Sequence, residues 1–246
     1  MKRYEEHQRE GWKILVILTS CSASKDDSIP ITEGSRVVEP SYYLNQALLS
    51  RLLSTRERLL LDPRARLGTK TSYALDLYGT AGRAYKKLLE YNYPRLKSML
   101  LSSDSVEWFF LSGGYGIIHA LEKARKYQAT FAQSIAYQNK IPYTGKLWAP
   151  LLTQICDNIL LKFRPDFVYI FGNRDYTDFI KQTSFWRTED NVRMFESTGS
   201  SGPSWLSPIL NELVGSILQN YVDVFNSKYS KFTKQRSSFR GDRRVS

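Results

Sequence analysis

Three short segments bring together residue types that can do chemistry: Ser20-Cys21-Ser22-Ala23-Ser24-Lys25, Ser112-Gly113-Gly114-Tyr115-Gly116 and Gly172-Asn173-Arg174-Asp175-Tyr176. In the first, clustered hydroxyls and backbone N–H groups can cradle an anion, and Lys25 adds a positive charge. The same residues also make an ordinary serine-rich turn with an exposed lysine. Cys21 has two readings. A thiolate near a cation or base is a nucleophile, whereas a small cysteine at a strand end is commonly buried and inert. The only histidines are His7 and His119, and no Cys–His signature is present, so the inert reading is favoured. In the second segment, glycines let a phosphate or sugar approach the backbone, although tight turns also use glycine for its conformational freedom. It lacks the GK[ST] of a P-loop and the spacing of a dinucleotide fingerprint.

The third segment offers an amide, a cation, a carboxylate and a phenol. Breaking a glycosidic bond builds positive charge on the sugar, which a carboxylate stabilises. The leaving base needs a proton or a donor, which Lys, Arg or Tyr supplies. Asp175 serves equally well as a cap for a short helix. A fourth stretch, 199–203, contains Gly199 and Gly202 ahead of a helix, and suits a phosphate or a flexible loop. His119 reads as a turn or core residue. No metal-ligand spacing or cofactor fingerprint is visible, so neither a metal nor a cofactor is expected.

The elements that position these segments follow from periodicity. Residues 13–19 (KILVILT), 106–111 (VEWFFL) and 167–171 form apolar runs of strand length, and 192–195 gives a fourth. Helices are expected over 41–61, where leucines recur at three and four and Pro63 ends the run, and over 80–101, with Pro94 as a kink. Another amphipathic helix covers 146–163. A last one starts at Ser207-Pro208, with Ser207 as N-cap, and runs to about 225. Residues 64–72 read as a basic loop and 117–145 as irregular with short helices. Strands alternating with helices give an α/β fold: one domain over 13–226, a mostly parallel sheet with helices on both faces. In such sheets the site lies beyond the C-terminal strand ends, where the three segments begin.

Composition narrows the partners. The net charge is +11 and aromatics reach 13%, led by 16 tyrosines. A globular body does not need that charge; polyanions do, and tyrosines stack on bases. Residues 227–246 carry seven Lys/Arg and one Asp, a charge of +6, and read as a flexible basic tail. Residues 1–12 read as a polar arm without the apolar stretch of a signal peptide. Cys21 and Cys156 form no disulfide framework or zinc spacing. No apolar run approaches membrane-helix length. A cytoplasmic protein working on nucleic acid is expected, with no membrane partner.

At these residues a family resemblance enters. Leu111-Ser112-Gly113-x-Tyr115-Gly116, followed by Glu122 and Tyr127, resembles a motif of the YaaA peroxide-stress family. Cys21-Ser22-x-x-Lys25 resembles the CS..K motif of archaeosine synthase, which acts on a modified tRNA base. Both are similar to a wider group with a strand–CS..K loop, a Leu-Tyr element (here Leu77-Tyr78), an S-x-x-Y-G loop, and a late strand ending in glycine and tyrosine. The match spans about 13–180. Ser20 stands where the archaeosine motif has proline, Asp26-Asp27 where it has proline-tyrosine, and its later histidine is missing, which counts against lysine transfer to a base. Phage-defence DNA glycosylases that remove modified bases resemble the same broad group. The resemblance implies handling of nucleic acid or modified bases.

The expected activity is cleavage or exchange of a base's N-glycosidic bond after base flipping. DNA is the expected partner, with RNA open. Asp175 is the first choice to stabilise the sugar cation and Glu122 the second. Lys25 is the third catalytic residue, and with Ser20, Cys21 and Ser22 it would hold phosphate or donate to the base. Tyr78, Tyr115, Tyr127 and Tyr176 would surround the base, with Ser112, Gly113, Gly114, Asn173 and Arg174 completing the binding set. The alternatives are a non-catalytic DNA-binding stress protein and a small-nucleotide enzyme.

Overall fold

The computed structural model describes residues 13–81, 85–197 and 202–232. The polar arm, most of the basic tail and the 199–201 part of the fourth stretch lie outside those residues.

The apolar runs form the expected strands. β1 (Leu15–Ser20), β3 (Val106–Ser112), β6 (Phe167–Asn173) and β7 (Val192–Ser197) are parallel, and β4 (Gly116–His119) pairs antiparallel with β3. Two further short strands, β2 (Thr71–Tyr73) and β5 (Lys123–Arg125), pair with each other in a separate hairpin-like ladder. The main sheet has the order β4-β3-β1-β6-β7. The fold is α/β with a mostly parallel sheet, as expected. Leu15 to Thr19 and all of β3 are buried. Strands buried on both faces read as continuous apolar runs rather than alternations, because helices cover the sheet on both sides.

The helices are α1 (Gln46–Leu60), α2 (Ala74–Gly79), α3 (Lys86–Tyr91), α4 (Tyr93–Ser102), α5 (Gln133–Asn139), α6 (Gly145–Phe163), α7 (Arg174–Thr177), α8 (Ser184–Thr188), α9 (Gly202–Leu218) and α10 (Val222–Lys228). α6 packs on α1 and β4, while α9 packs on β6, β7, α3 and α4.

Several boundaries differ from the sequence reading, each for a local reason. The helix expected over 41–61 begins only at Gln46, because the Asn45 side chain accepts from the Leu48 N–H and caps it there; Pro40–Tyr42 is a separate 3-10 turn. The stretch 80–101 is not one kinked helix. Pro94 sits in the first turn of α4, where its missing N–H costs nothing, and separates α4 from α3. Residues 117–145 hold β4 and β5, missed because a short antiparallel return after a glycine turn carries little periodicity. The last helix starts at Gly202, so Ser207 is not its N-cap; its Oγ instead accepts from the Lys87 N–H of α3 at 2.9 Å. That helix stops at Leu218, and Asn220, at φ 58°, lets the chain re-enter a helix at α10.

Among the described residues no helix is long and apolar enough to cross a membrane.

Candidate functional site

The chain leaves β1 toward β3 on one side, and later adds β6 and β7 on the other. The crevice between the C-terminal ends of β1 and β6 is therefore the topological switch point, where parallel sheets bind ligands. A cavity of about 530 Å³ lies there, within the ~300–1,000 Å³ span of small-ligand sites. Ser20 to Lys25 form one wall and Asn173 and Tyr176 another. The remaining lining comes from Gln128–Thr130, α5 and Ile141, and from Ser197 and Leu206.

Lys25 is the charged group of this lining, and it is only 9% exposed. Its Nζ lies 4.3 Å above the Tyr127 ring, and its one hydrogen bond among the described residues, to the Ala23 carbonyl, is long at 3.4 Å. Burial lowers its pKa from the ordinary lysine value; the thiol of Cys21 pulls the other way and the nearby Lys126 adds to the depression. Asn173 presents a second unmatched group: its Oδ1 is buried and has no hydrogen-bond donor among the described residues. A buried acceptor left unpaired costs roughly 1–3 kcal/mol, which a ligand's donor would recover.

Cys21 is half-buried and lines the cavity. Its Sγ lies 3.6 Å from the hydroxyls of both Tyr127 and Tyr176. Behind it the Tyr127 hydroxyl is 2.6 Å from Ser112 Oγ and 3.2 Å from the Tyr78 hydroxyl, which also contacts Ser112 Oγ at 3.2 Å. Burial, with the Cys21 sulfur as second cause, pushes all three phenols well above their usual range. They stay protonated, so a connected chain of hydroxyls ends on the sulfur.

The binding set expected from sequence thus separates into two layers. Ser20, Cys21, Ser22, Lys25, Asn173 and Tyr176 line the cavity. Tyr78, Ser112 and Tyr127 lie behind it, too buried to stack on a base. Tyr115 is also buried, with its hydroxyl taken by the Arg125 backbone at 2.8 Å and its ring edge-on to Tyr127. Gly113 and Gly114 do not admit a phosphate. A Cβ on Gly113 would stand 2.4 Å from the Ala129 carbonyl oxygen, and one on Gly114 2.5 Å from the Tyr127 ring. These glycines let the 127–130 segment pack directly on the end of β3. Gly116, at φ +71°, makes the return into β4. Gly113→Ala is expected to cost about 1–3 kcal/mol, because its methyl meets backbone that carries the cavity wall. An unchanged thermal midpoint would refute that close approach.

Neither carboxylate choice reaches the cavity. Asp175, in the first turn of α7, is exposed, and Arg174 beside it is exposed and paired with Asp178 at 3.3 Å. Their neighbours Asn173 and Tyr176 face in because the chain turns from strand to helix between them. Glu122 is buried elsewhere: it pairs with Arg56, accepts from the Tyr43 hydroxyl at 2.9 Å and from the His119 N–H at 3.2 Å. Arg56 in turn binds the Tyr115 and Ile117 carbonyls. Glu122 is a core strut of the β3–β4 turn. His119 is likewise a core residue: Nδ1 accepts from the Leu121 N–H at 3.1 Å, so Nε2 carries the proton toward Glu107 at 2.9 Å.

Residues 128–141, which close the far side of the cavity, carried no signal in the sequence. Their position follows from tertiary pairing: the Thr130 N–H reaches Pro142, and the Thr144 hydroxyl and Trp148 indole both donate to the Gly113 carbonyl, at 2.8 and 2.9 Å. The basic loop 64–72 is tied to the same segment, through Gly68 N–H to the Lys126 carbonyl at 2.7 Å and Gln128 N–H to the Ala65 carbonyl at 2.6 Å. Arg64, Arg66, Lys70 and Lys126 are exposed there, beside the cavity lining.

No family model, curated protein or solved structure matches this chain.

Proposed function

We propose that the cavity receives one modified base flipped out of DNA, and that the protein cleaves or exchanges that base's N-glycosidic bond. The observation that carries this reading is a cavity at the switch point of the sheet whose lining includes Lys25, with one long hydrogen bond among the described residues, and Asn173, whose buried Oδ1 has no donor there. A base edge supplies both acceptors and donors to satisfy them. The Arg64, Arg66, Lys70 and Lys126 surface beside the cavity suits the flanking phosphates, and the net charge of +11 suits a polyanion. The motif resemblance to the YaaA family, archaeosine synthase and the phage-defence glycosylases supports the same substrate class, and a defence or stress role in the cytoplasm accords with it. An RNA base offers the cavity the same edges.

The catalytic set proposed keeps Lys25 and has Cys21 and Tyr176 in place of Asp175 and Glu122. Mass spectrometry of bases released from modified phage DNA tests the reading, together with alkali cleavage of the abasic product. Asp175→Asn is expected to leave base release unchanged, since its carboxylate stands in solvent. A second reading, a DNA-binding protein without turnover, is favoured by one observation: no carboxylate among the described residues lines the cavity. Tight DNA binding with no released base would select it.

Binding itself should weaken steeply with salt as counterions are displaced. Lys126→Ala is expected to weaken affinity uniformly across sequences and to lower the log–log salt slope by about 1. A slope that stays unchanged would remove Lys126 from the interface.

A further inference from the structure

We propose that Lys25 is the nucleophile of the site: its amine adds to the C1′ carbon of a deoxyribose and forms a covalent iminium with DNA. The inference rests on the base-handling reading above and names the chemical step that the site performs.

The geometry carries it in three parts. Lys25 lines the cavity, and among the described residues no carboxylate pairs with it; its Nζ contacts are the Tyr127 ring at 4.3 Å and a long bond to the Ala23 carbonyl. A lysine that held structure through an ion pair would be anchored like Lys97, whose Nζ bonds both oxygens of the buried Asp76 at 2.8 and 3.0 Å. Lys25 is instead buried with no carboxylate beside it among the described residues, and that burial favours the neutral, nucleophilic amine over the pull of the Cys21 sulfur. Second, the groups that face it can handle protons. Cys21 lies in the same wall, and its sulfur is held by the hydroxyls of Tyr127 and Tyr176. Third, with no carboxylate lining the cavity among the described residues, a bare sugar cation would find no counter-charge there. A covalent bond to nitrogen moves that charge from the bare sugar onto the iminium nitrogen, where it is shared with a better electron donor.

The step balances without an oxidant or reductant. The neutral amine donates its electron pair to C1′ as the C1′–N bond to the base breaks, and the base leaves with that bonding pair and takes a proton. The new C1′–N bond loses an amine proton, the ring oxygen gains one as the sugar opens, and a C1′=N iminium results. Water then hydrolyses the iminium to the open aldehyde and returns the amine. On DNA that is already abasic, amine and aldehyde condense to the same iminium with loss of water.

Abasic DNA is therefore a probe that does not depend on knowing the base. The full chain is incubated with a duplex oligonucleotide bearing one abasic site, and sodium borohydride reduces any iminium to a stable amine. Trypsin then locates the adduct. Lys25 is the sole lysine between Ile14 and Arg36, so modification there blocks one cleavage and yields the 14–36 peptide carrying the sugar. The expected result is that peptide, and its loss to background in Lys25→Arg, which keeps the charge but forms no stable iminium. Lys25→Met serves as a second variant, with thermal unfolding run on both to verify folding. No adduct, or an adduct on another lysine that survives Lys25→Arg, overturns the assignment. Base release from modified phage DNA is measured in parallel. Release without a Lys25 adduct sinks the nucleophile and leaves the glycosidic reading standing; a Lys25 adduct on abasic DNA with no release from any intact base sinks that reading and keeps the nucleophile.

Discussion

Glu122→Ala is expected to destabilise the protein by about 3–5 kcal/mol, the range found when one partner of a buried ion pair is removed. Arg56 and Glu122 are both nearly inaccessible, with side chains 8% and 4% exposed. Removing the carboxylate leaves the guanidinium buried without its counter-charge. Burial works against that cation, and Glu122 is what raises its pKa. The Tyr43 hydroxyl and the His119 N–H lose their acceptor as well. For a chain of this size each kcal/mol lowers the thermal midpoint by roughly 2–4 °C, so a fall of roughly 6–20 °C is expected. Glu122→Gln should do less harm, because its amide oxygen still accepts from Arg56. Calorimetry and urea titration measure the effect. At a temperature where either variant stays folded, activity should persist; a folded, fully stable but inactive Glu122→Ala would return Glu122 to the catalytic set.

Lys25→Met is expected to do the reverse: to abolish function and stabilise the fold. Losing the amine should reduce base release by roughly a hundredfold or more, the scale seen for removal of a group acting on the reacting atoms. The stability gain follows from burial of an unpaired charge, and its pH dependence has a definite sign. Below the depressed folded-state pKa the amine is charged in both states, so the burial cost is fully present. As pH rises through that pKa the folded protein releases its proton first and the wild type recovers stability. The recovery ends near the ordinary lysine value of 10.5. Lys126, which faces Lys25 and opposes its charge, shifts the window down; Cys21 shifts it up. The advantage of Lys25→Met over wild type should therefore be largest below that depressed pKa and shrink as the pH rises toward 10.5. Paired urea titrations across that range test it, because the titrations of groups that do not interact with Lys25 cancel in the difference. A wild type more stable than Lys25→Met at neutral pH would show that Lys25 is held by a partner, contrary to the geometry. Such a trade, stability given up for a reactive buried group, is common at active sites.

The fold class was legible in the sequence, because a strand buried on both faces reads as a nearly continuous apolar run. KILVILT, VEWFFL and the run at 167–171 are legible for that reason. It also placed the ends of β1 and β6 at a common site, since parallel strands all finish at one edge of the sheet. Ser20, Cys21, Ser22, Lys25, Asn173 and Tyr176 were found in that way, and they do meet in one cavity. What the sequence could not show is which way a side chain turns once the strand has ended. Asp175 follows Asn173 by two residues, and a single turn of α7 sends one inward and the other to solvent. Glu122 and Tyr127 share a motif with Ser112 and Tyr115, but the Gly116 turn and the buried Arg56 draw Glu122 into the core. Glycines 113 and 114 look the same in sequence whether they make room for a phosphate or for a protein neighbour; the neighbour, the 127–130 segment, is known only from tertiary packing. The charge state of Lys25 is the clearest case. In sequence it is one lysine among many in a basic chain, and only the enclosing walls, with no carboxylate in the cavity lining among the described residues, lower its pKa.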